Sequence, residues 1–152
     1  MRRRPSSRIL VIDPSERVLL FRFVINRGAI AGQDFWATPG GTLDADETFE
    51  EAARRELFEE TGIVVEAVGE AVAEREFIFQ LFDGERVMAH EQFFFVRTTG
   101  QEVSKDRWTA LEKEVMVEHR WWSLAELAST SDQVFPENLI EILKTAGVGA
   151  GA

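Results

Sequence analysis

Residues 47–62 concentrate side chains that could do chemistry: Glu47, Arg55, Glu56, Glu59 and Glu60. Thr48 and Glu51 stand three apart, the order of a capping box at a helix start. Gly62 suits the left-handed position just past a helix end. The spacing predicts a helix over 49–60, with Glu50–Arg54 and Glu51–Arg55 as i,i+4 pairs in the favourable order. On a wheel of about 100° per residue, Phe49, Ala52, Ala53 and Leu57 form one stripe that should face a sheet. Glu56, Glu59 and Glu60 fall on that same side, while Glu51, Arg54 and Phe58 take the opposite one. The inner face is apolar in its first half and acidic in its second.

Runs of glutamate usually make a solvated face, but that explanation fits poorly here. Like charges at i,i+4 repel, and Glu59 and Glu60 crowd the C-terminus, the negative end of the helix dipole. Carboxylates so placed destabilise the bare protein unless a cation offsets them. Oxygen donors without Cys or His favour a hard ion, Mg²⁺ or Mn²⁺. Mg²⁺ held by carboxylates keeps waters and shares substrate phosphates. The pattern points to metal-assisted phosphoryl chemistry.

The elements that must hold this helix are legible in outline. Segments 7–13 and 17–25 are β-branched and aromatic, joined by a turn at Asp13–Glu16, and read as strands. Residues 26–34, with Gly28 and Gly32, read as a loop, and 35–38 as a short strand stopped by Pro39-Gly40-Gly41. Further strands are expected over 63–73, 75–82 and 86–98, the last two joined at Asp83-Gly84. Residues 100–118 are polar and read as a long loop with room for a short helix. A last strand is expected over 120–122. Ser123 and Glu126 then box the start of a short helix over 124–127, and a final helix over 137–146 ends at Gly147. The sum is an α/β fold, a mixed sheet carrying helices, in one domain spanning 1–152. The ends, 1–6 and 147–152, are expected to be flexible.

Composition narrows the function. The chain has 152 residues, 45% hydrophobic and 29% charged, which suits a globular protein and not a disordered one. Seventeen basic residues against 27 acidic ones give a net charge of −10, which argues against an extended nucleic-acid surface. A phosphorylated small molecule remains compatible if a cation screens the site. Cysteine is absent, which removes disulfides, thiolate metal sites and cysteine nucleophiles. His90 and His119 alone leave little for a zinc site. No apolar run approaches the ~20 residues of a membrane span, and the basic start lacks a signal peptide's apolar stretch. The expectation is a cytoplasmic protein with no membrane partner. Glycine-rich phosphate and dinucleotide loops and the His-Glu-x-x-His pattern are missing, and Asp44-x-Asp46 lacks the glycine and spacing of a calcium loop.

Written out, the central stretch is Gly41, five residues, Glu47, seven residues, then Arg55-Glu56-Leu57-Phe58-Glu59-Glu60-Thr61-Gly62-Ile63. It resembles the Nudix box, Gly-x5-Glu-x7-Arg-Glu-U-x-Glu-Glu-x-Gly-U with U aliphatic, at all nine constrained positions. Pro39-Gly40 before it and Arg120-Trp121-Trp122-Ser123-Leu124 after it also look like the family, so the likeness extends over roughly 7–145. The resemblance implies an α/β/α sandwich with the box as loop–helix–loop. It implies Mg²⁺- or Mn²⁺-dependent hydrolysis of a nucleoside diphosphate linked to another group, X. It implies Glu56, Glu59, Glu60 and the Gly40 carbonyl as metal ligands, Arg55 as the residue orienting a helix carboxylate, and Glu47 as support for the metal site. Gly41 would let the loop pass close to the helix. The general base would be Glu56 or a loop glutamate, for which Glu112, Glu114 and Glu118 are the candidates; each alone is more often a solvated charge.

Markers of several subgroups are missing. Where ADP-ribose-cleaving members often carry proline, this chain has Ile78 and Phe79. The tyrosine of dinucleoside polyphosphate hydrolases, the Ser-Gln-Pro-Trp of NADH-cleaving members and the cysteine of the isopentenyl diphosphate isomerase are all missing. What remains for X is a nucleoside triphosphate, a damaged nucleotide, a nucleotide sugar or a broad range. Trp36, Phe79 and Trp108 could stack on a base, although core or rim positions account for such residues more often. Asn138, in a segment like one that contacts the base in nucleotide-sanitising members, could offer a two-way hydrogen-bonding edge or merely open the last helix. Arg22 faces either a phosphate or the outer side of its strand. Two further readings stand beside hydrolysis of a small nucleotide: a non-catalytic nucleotide-sensing module, and a pyrophosphohydrolase of RNA 5′ ends. A homodimer is compatible with the family, but no residue points to a pairing surface.

Overall fold

The computed structural model describes residues 1–149. Twelve elements follow one another: β1 (Arg3–Ile12), β2 (Val18–Val24), β3 (Asp34–Ala37), β4 (Gly40–Thr42), α1 (Phe49–Thr61), β5 (Ala73–Gln80), β6 (Arg86–Arg97), α2 (Ala110–Val115), β7 (Met116–Trp122), α3 (Leu124–Ser129), β8 (Val134–Phe135) and α4 (Leu139–Thr145). Among the described residues the strands form one mixed sheet, ordered β5-β6-β1-β2-β3-β8, with β4 on β1 and β7 on β2. β1 and β6 run parallel along ten pairs, from Arg3↔Met88 to Ile12↔Arg97. β1 and β2, by contrast, register at Ile12↔Val18 alone. They diverge from that corner, and the sheet opens into two leaves with a cleft between them.

Alternation on the strands builds a core on each face. Ile9, Val11, Leu19, Phe21 and Phe94 point toward Ala53 and Leu57 of α1. Leu10, Ile12, Val18, Leu20 and Phe93 point toward Leu139, Ile142 and Leu143 of α4. With both faces covered, Ile9–Ile12 reads as an unbroken apolar run. The result is the α/β/α layering implied by the resemblance.

Several expectations need correction. Residues 1–6 are not a free arm: β1 begins at Arg3, because β6 offers parallel partners down to Met88. The expected strand over 63–73 does not form before Ala73. Ile63 and Val68 are buried in the α1-side core, but four residues separate them and Gly69 turns left-handed. The segment plugs the core instead of pairing. β7 starts at Met116, inside the expected loop, and β8, a two-residue strand paired with β3, was not foreseen. At the other end Val148 is buried in the α4-side core, so 147–149 are packed; residues 150–152 lie outside the described residues. The i,i+4 pairs also fail, because Glu51 caps Thr48 and Arg54 donates to the Val65 carbonyl.

The orientation of α1 can be checked directly. Leu57 is fully buried, whereas Phe58 is 36% exposed beneath the Arg107 guanidinium. Leu57→Ala is expected to lower unfolding free energy by about 2–5 kcal/mol, and Phe58→Ala by under about 1 kcal/mol, as read from urea unfolding. Equal losses would mean that the helix is turned differently.

Candidate active site

The acidic half of α1 is fixed at both ends. Thr48 and Glu51 form the complete capping box. At the far end, Gly62 adopts φ 78° and its N–H donates to the Phe58 carbonyl. The Trp108 indole N–H donates to the Glu60 carbonyl at 2.9 Å, and the Ser104 N–H to that of Thr61. The last turn cannot unwind to release its glutamates without losing these bonds.

Glu56 and Glu60, one turn apart, are 9% and 2% exposed. Two glycines let β4 reach them. Gly40 has φ 142°, and a Cβ there would lie 2.1 Å from the Ser7 carbonyl oxygen. Its N–H faces the Glu60 carboxylate at 3.3–3.4 Å. A Cβ on Gly41 would lie 2.6 Å from Glu56 Oε1.

Arg55 ties the carboxylates together. Its Nε and Nη2 clasp both oxygens of Glu47 at 2.8 and 2.9 Å, and Nη2 also donates to the Thr42 carbonyl. Its Nη1 donates to Glu56 at 2.9 Å and Glu59 at 3.2 Å. Asp44 lies 3.2 Å from Nε. Arg55 holds the Glu47 carboxyl below the usual carboxylate range, and Glu47 in turn, with help from Glu56, strengthens the charge on Arg55. Glu59, with its side chain 42% exposed, joins the group through Arg55.

Of the loop candidates, the structure brings in Glu112. Ligand oxygens of Glu56, Glu60 and Glu112 lie within 4.8 Å of one another. Thr109 and Glu112 make a second capping box at the start of α2, in which one Glu112 oxygen accepts the Thr109 N–H. The other oxygen is left for the cluster. Glu114 is clasped by Arg27, and Glu118 pairs with Arg22.

Burial, then the neighbouring charge of Glu56, pushes the Glu60 carboxyl well above its usual range. Burial and Glu56 also raise Glu59. A proton and a cation would therefore compete for the Glu60 carboxyl. The donors are all oxygen, negatively charged and close together, which fits a hard divalent ion.

The cluster opens onto the cleft between the leaves, about 790 Å³, within the range of small-molecule sites. Phe79 lines it, with Phe77, Phe23 and Phe35. The other substrate-contact candidates lie elsewhere. Trp36 is buried in the α4-side core, edge-on to Trp122, with its indole toward Asp132. Trp108 is buried beneath α1. Arg22 is held by Asp34 and Glu118 beside a separate shallow groove. Asn138 stands at the start of α4 without capping it, and its neighbour Glu137 is the one that reaches the cleft. Sequence reading missed Arg4, Arg8, Arg75 and Glu91, which also line the cleft. Strand parity carried the signal, since Glu91 alternates in phase with buried Ala89 and Phe93.

The family can now be stated: residues 2–142 match the NUDIX domain, and the chain belongs to that family. The fold is that of the MutT protein from Methanosarcina mazei Go1, with a TM-score of 0.68 and 21% identity, covering 94% of this chain and 91% of that one. The NUDIX domain of Shewanella oneidensis NrtR, solved with ADP ribose, gives 0.65 and 17%, covering 96% and 87%. Phosphatase NudJ of Escherichia coli K12 is 52% identical over 42 residues. That match spans 28% of this chain and 28% of the length of the curated relative.

The Glu60 carboxyl makes a testable coupling. A carboxyl whose pKa is raised on folding keeps its proton longer in the folded state, so stability falls as pH rises toward the folded value. A bound cation displaces that proton, and its stabilising effect grows over the same interval. Mg²⁺ or Mn²⁺ should therefore raise Tm more at mildly alkaline than at mildly acidic pH, and Glu60→Gln should flatten the difference. Equal metal-induced shifts at both pH values, measured by scanning fluorimetry against a chelator control, would contradict this assignment.

Proposed function

We propose that the chain is a divalent-metal-dependent pyrophosphohydrolase, cleaving the phosphoanhydride bond of a nucleoside diphosphate linked to another group. The observation that carries this reading is the Glu56–Glu60–Glu112 cluster, buried at Glu60 and half-buried at Glu112, which opens through these two onto a cleft of nucleotide size. Glu56, Glu59 and Glu60, with the Gly40 carbonyl, would hold Mg²⁺ or Mn²⁺. Bound there, the ion supplies charge neutralisation on phosphate oxygens and an acidified water.

The chain's own groups do the positioning. Arg55 holds Glu56 in place against Gly41, while Glu47 fixes Arg55 from behind. The general base, Glu56 or Glu112, takes the water's proton as oxygen attacks phosphorus in line and the anhydride P–O bond breaks. The substrate is a nucleoside triphosphate, a damaged nucleotide or a nucleotide sugar. ADP ribose, bound by the Shewanella relative, is of the same chemical kind.

Two arginines of the basic start are engaged, Arg2 by Glu85 and Arg3 by Glu76. This supports a small substrate over an RNA 5′ end.

A nucleotide panel with Mg²⁺ or Mn²⁺, read by phosphate release, tests the reading. Glu56→Gln and Glu112→Gln should each lose about 100-fold or more in kcat, since metal-borne charge stabilisation is worth several kcal/mol and a positioned base about 10²–10⁴-fold. Glu114→Gln, in its ion pair with Arg27, should match the parent protein. Absence of turnover with either metal would sink the proposal.

A further inference from the structure

The cleft carries a second charged wall that the hydrolysis as described leaves unused. Glu91 of β6 is 3% exposed. Each of its oxygens accepts one arginine Nε at 2.8 Å, Oε2 from Arg8 and Oε1 from Arg75. Burial opposes its charge, yet the two guanidiniums hold its carboxyl below the usual range. Both contacts are made through Nε. The Nη groups of Arg8 have no hydrogen-bond partner among the described residues, and Arg75 Nη1 has only the exposed Glu137 carboxylate at 3.6 Å. The Arg75 guanidinium lies 4.2 Å over the Phe77 ring, which fixes its plane. Arg4 shares a face of β1 with Arg8 and carries no ion pair among the described residues. Burial and the charge of Arg8 weaken its hold on its proton.

Arg4, Arg8, Arg75 and Glu91 all line the cleft. Three guanidiniums against Glu91 and the exposed Glu137 leave the wall positive, within a protein of net charge −10. The wall also stands beside the acidic cluster. Arg8 Cδ lies 3.0 Å from where a Cβ would project from Gly40, whose N–H faces Glu60. A buried pair kept for structure alone closes with matched charge, because each desolvated ion without a partner is costly. Here the surplus is cationic and lines the cleft. Arginine's planar fork suits phosphate oxygens, two at a time.

We infer that Arg4, Arg8 and Arg75, held by Glu91, form a subsite for an ionised phosphoryl group of the substrate lying outside the diphosphate that the acidic cluster addresses. The inference rests on the hydrolase reading above and deepens it. It ranks substrates whose X is itself phosphorylated, nucleoside triphosphates among them, above nucleotide sugars with a neutral X. Glu91 is a positioning residue: it fixes two guanidiniums and leaves their Nη edges to the ligand.

The test compares kcat/KM of the full chain, with Mg²⁺, for a nucleoside triphosphate and for the matching nucleoside diphosphate glucose. Arg8→Gln and Arg4→Gln should each lower the triphosphate-to-sugar ratio by about tenfold or more, mostly through KM. Glu91→Gln should lower the same ratio, which a loss of packing alone would not do. Arg4→Gln leaves Glu91 fully paired and serves if Arg8→Gln does not fold. A ratio within about twofold of the parent in the folded variants overturns the subsite and leaves the hydrolase reading standing. No turnover of either nucleotide by the parent protein overturns the hydrolase reading instead. Calorimetry with inorganic tripolyphosphate then judges the subsite alone: weaker uptake by Arg4→Gln upholds it, and equal uptake ends it.

Discussion

Glu56 and Glu60 stand one turn apart, out of water, near the negative end of a helix. An unpaired buried charge costs several kcal/mol even after relaxation, and two facing each other cost more. The surrounding structure is arranged to tolerate this. Arg55 supplies the countercharge to Glu56, and Glu47 fixes Arg55 from the other side. Glu60 has the long contact from the Gly40 N–H, and burial with the charge of Glu56 raises its carboxyl well above the usual range. Trp108 and Ser104 secure the last carbonyls, so the turn cannot relieve the repulsion by fraying. Repulsion held in a rigid frame would be relieved by a cation that competes with the proton.

The same constraint explains the backbone around the site. A strand must come near enough for its N–H to face Glu60, and side chains would block it. Gly40 sits with φ 142° against the Ser7 carbonyl, and Gly41 leaves room for the Glu56 carboxylate. β4 can take that place because it pairs with the first half of β1, at Ser6, Ser7 and Arg8. β2 has already diverged by then, with Ile12↔Val18 its registered pair with β1. The divergence that frees β1 for β4 also opens the cleft. Site and cleft thus follow from one topological event.

How much of this could be read from the sequence depended on the range of the interaction. The helix was legible because capping, the apolar stripe and the misplaced acids are all local periodicities, and the structure puts Ala52, Ala53, Glu56, Leu57 and Glu60 inside as the wheel requires. Glu112 was named only as one of three loop glutamates. Choosing among them needed a second capping box, Thr109 with Glu112, and a fold that aims it at a helix some fifty residues earlier. The Arg8–Glu91 pair spans 83 residues, and no local pattern announces such a contact. Trp36 misled for a related reason. Aromatic character is shared by core and cleft, and only the parity of β3 relative to its neighbours puts this ring in the α4-side core. The 63–73 segment failed because β-branched composition records burial as well as pairing. Val68 is buried without being part of a strand.

Charge gives the last step. A net −10 over the whole chain argues soundly against a long polyanion, whose binding sums contacts along an extended surface. It says little about one phosphate inside a cleft. Exposed charges separated by more than about 8 Å are largely screened at physiological salt, whereas groups within a partly closed space act on a ligand at much lower effective dielectric. Inside the cleft the balance is set by a cation-seeking cluster at Glu56, Glu60 and Glu112 and by the guanidiniums of Arg4, Arg8 and Arg75. Neither half suffices for a polyphosphate. Carboxylates alone would repel it, and arginines alone would hold it without reaching its anhydride bond. Placed side by side across Gly40, they would let, on the proposed reading, a metal-bearing end address the bond to be broken while the other end selects what the bond is attached to.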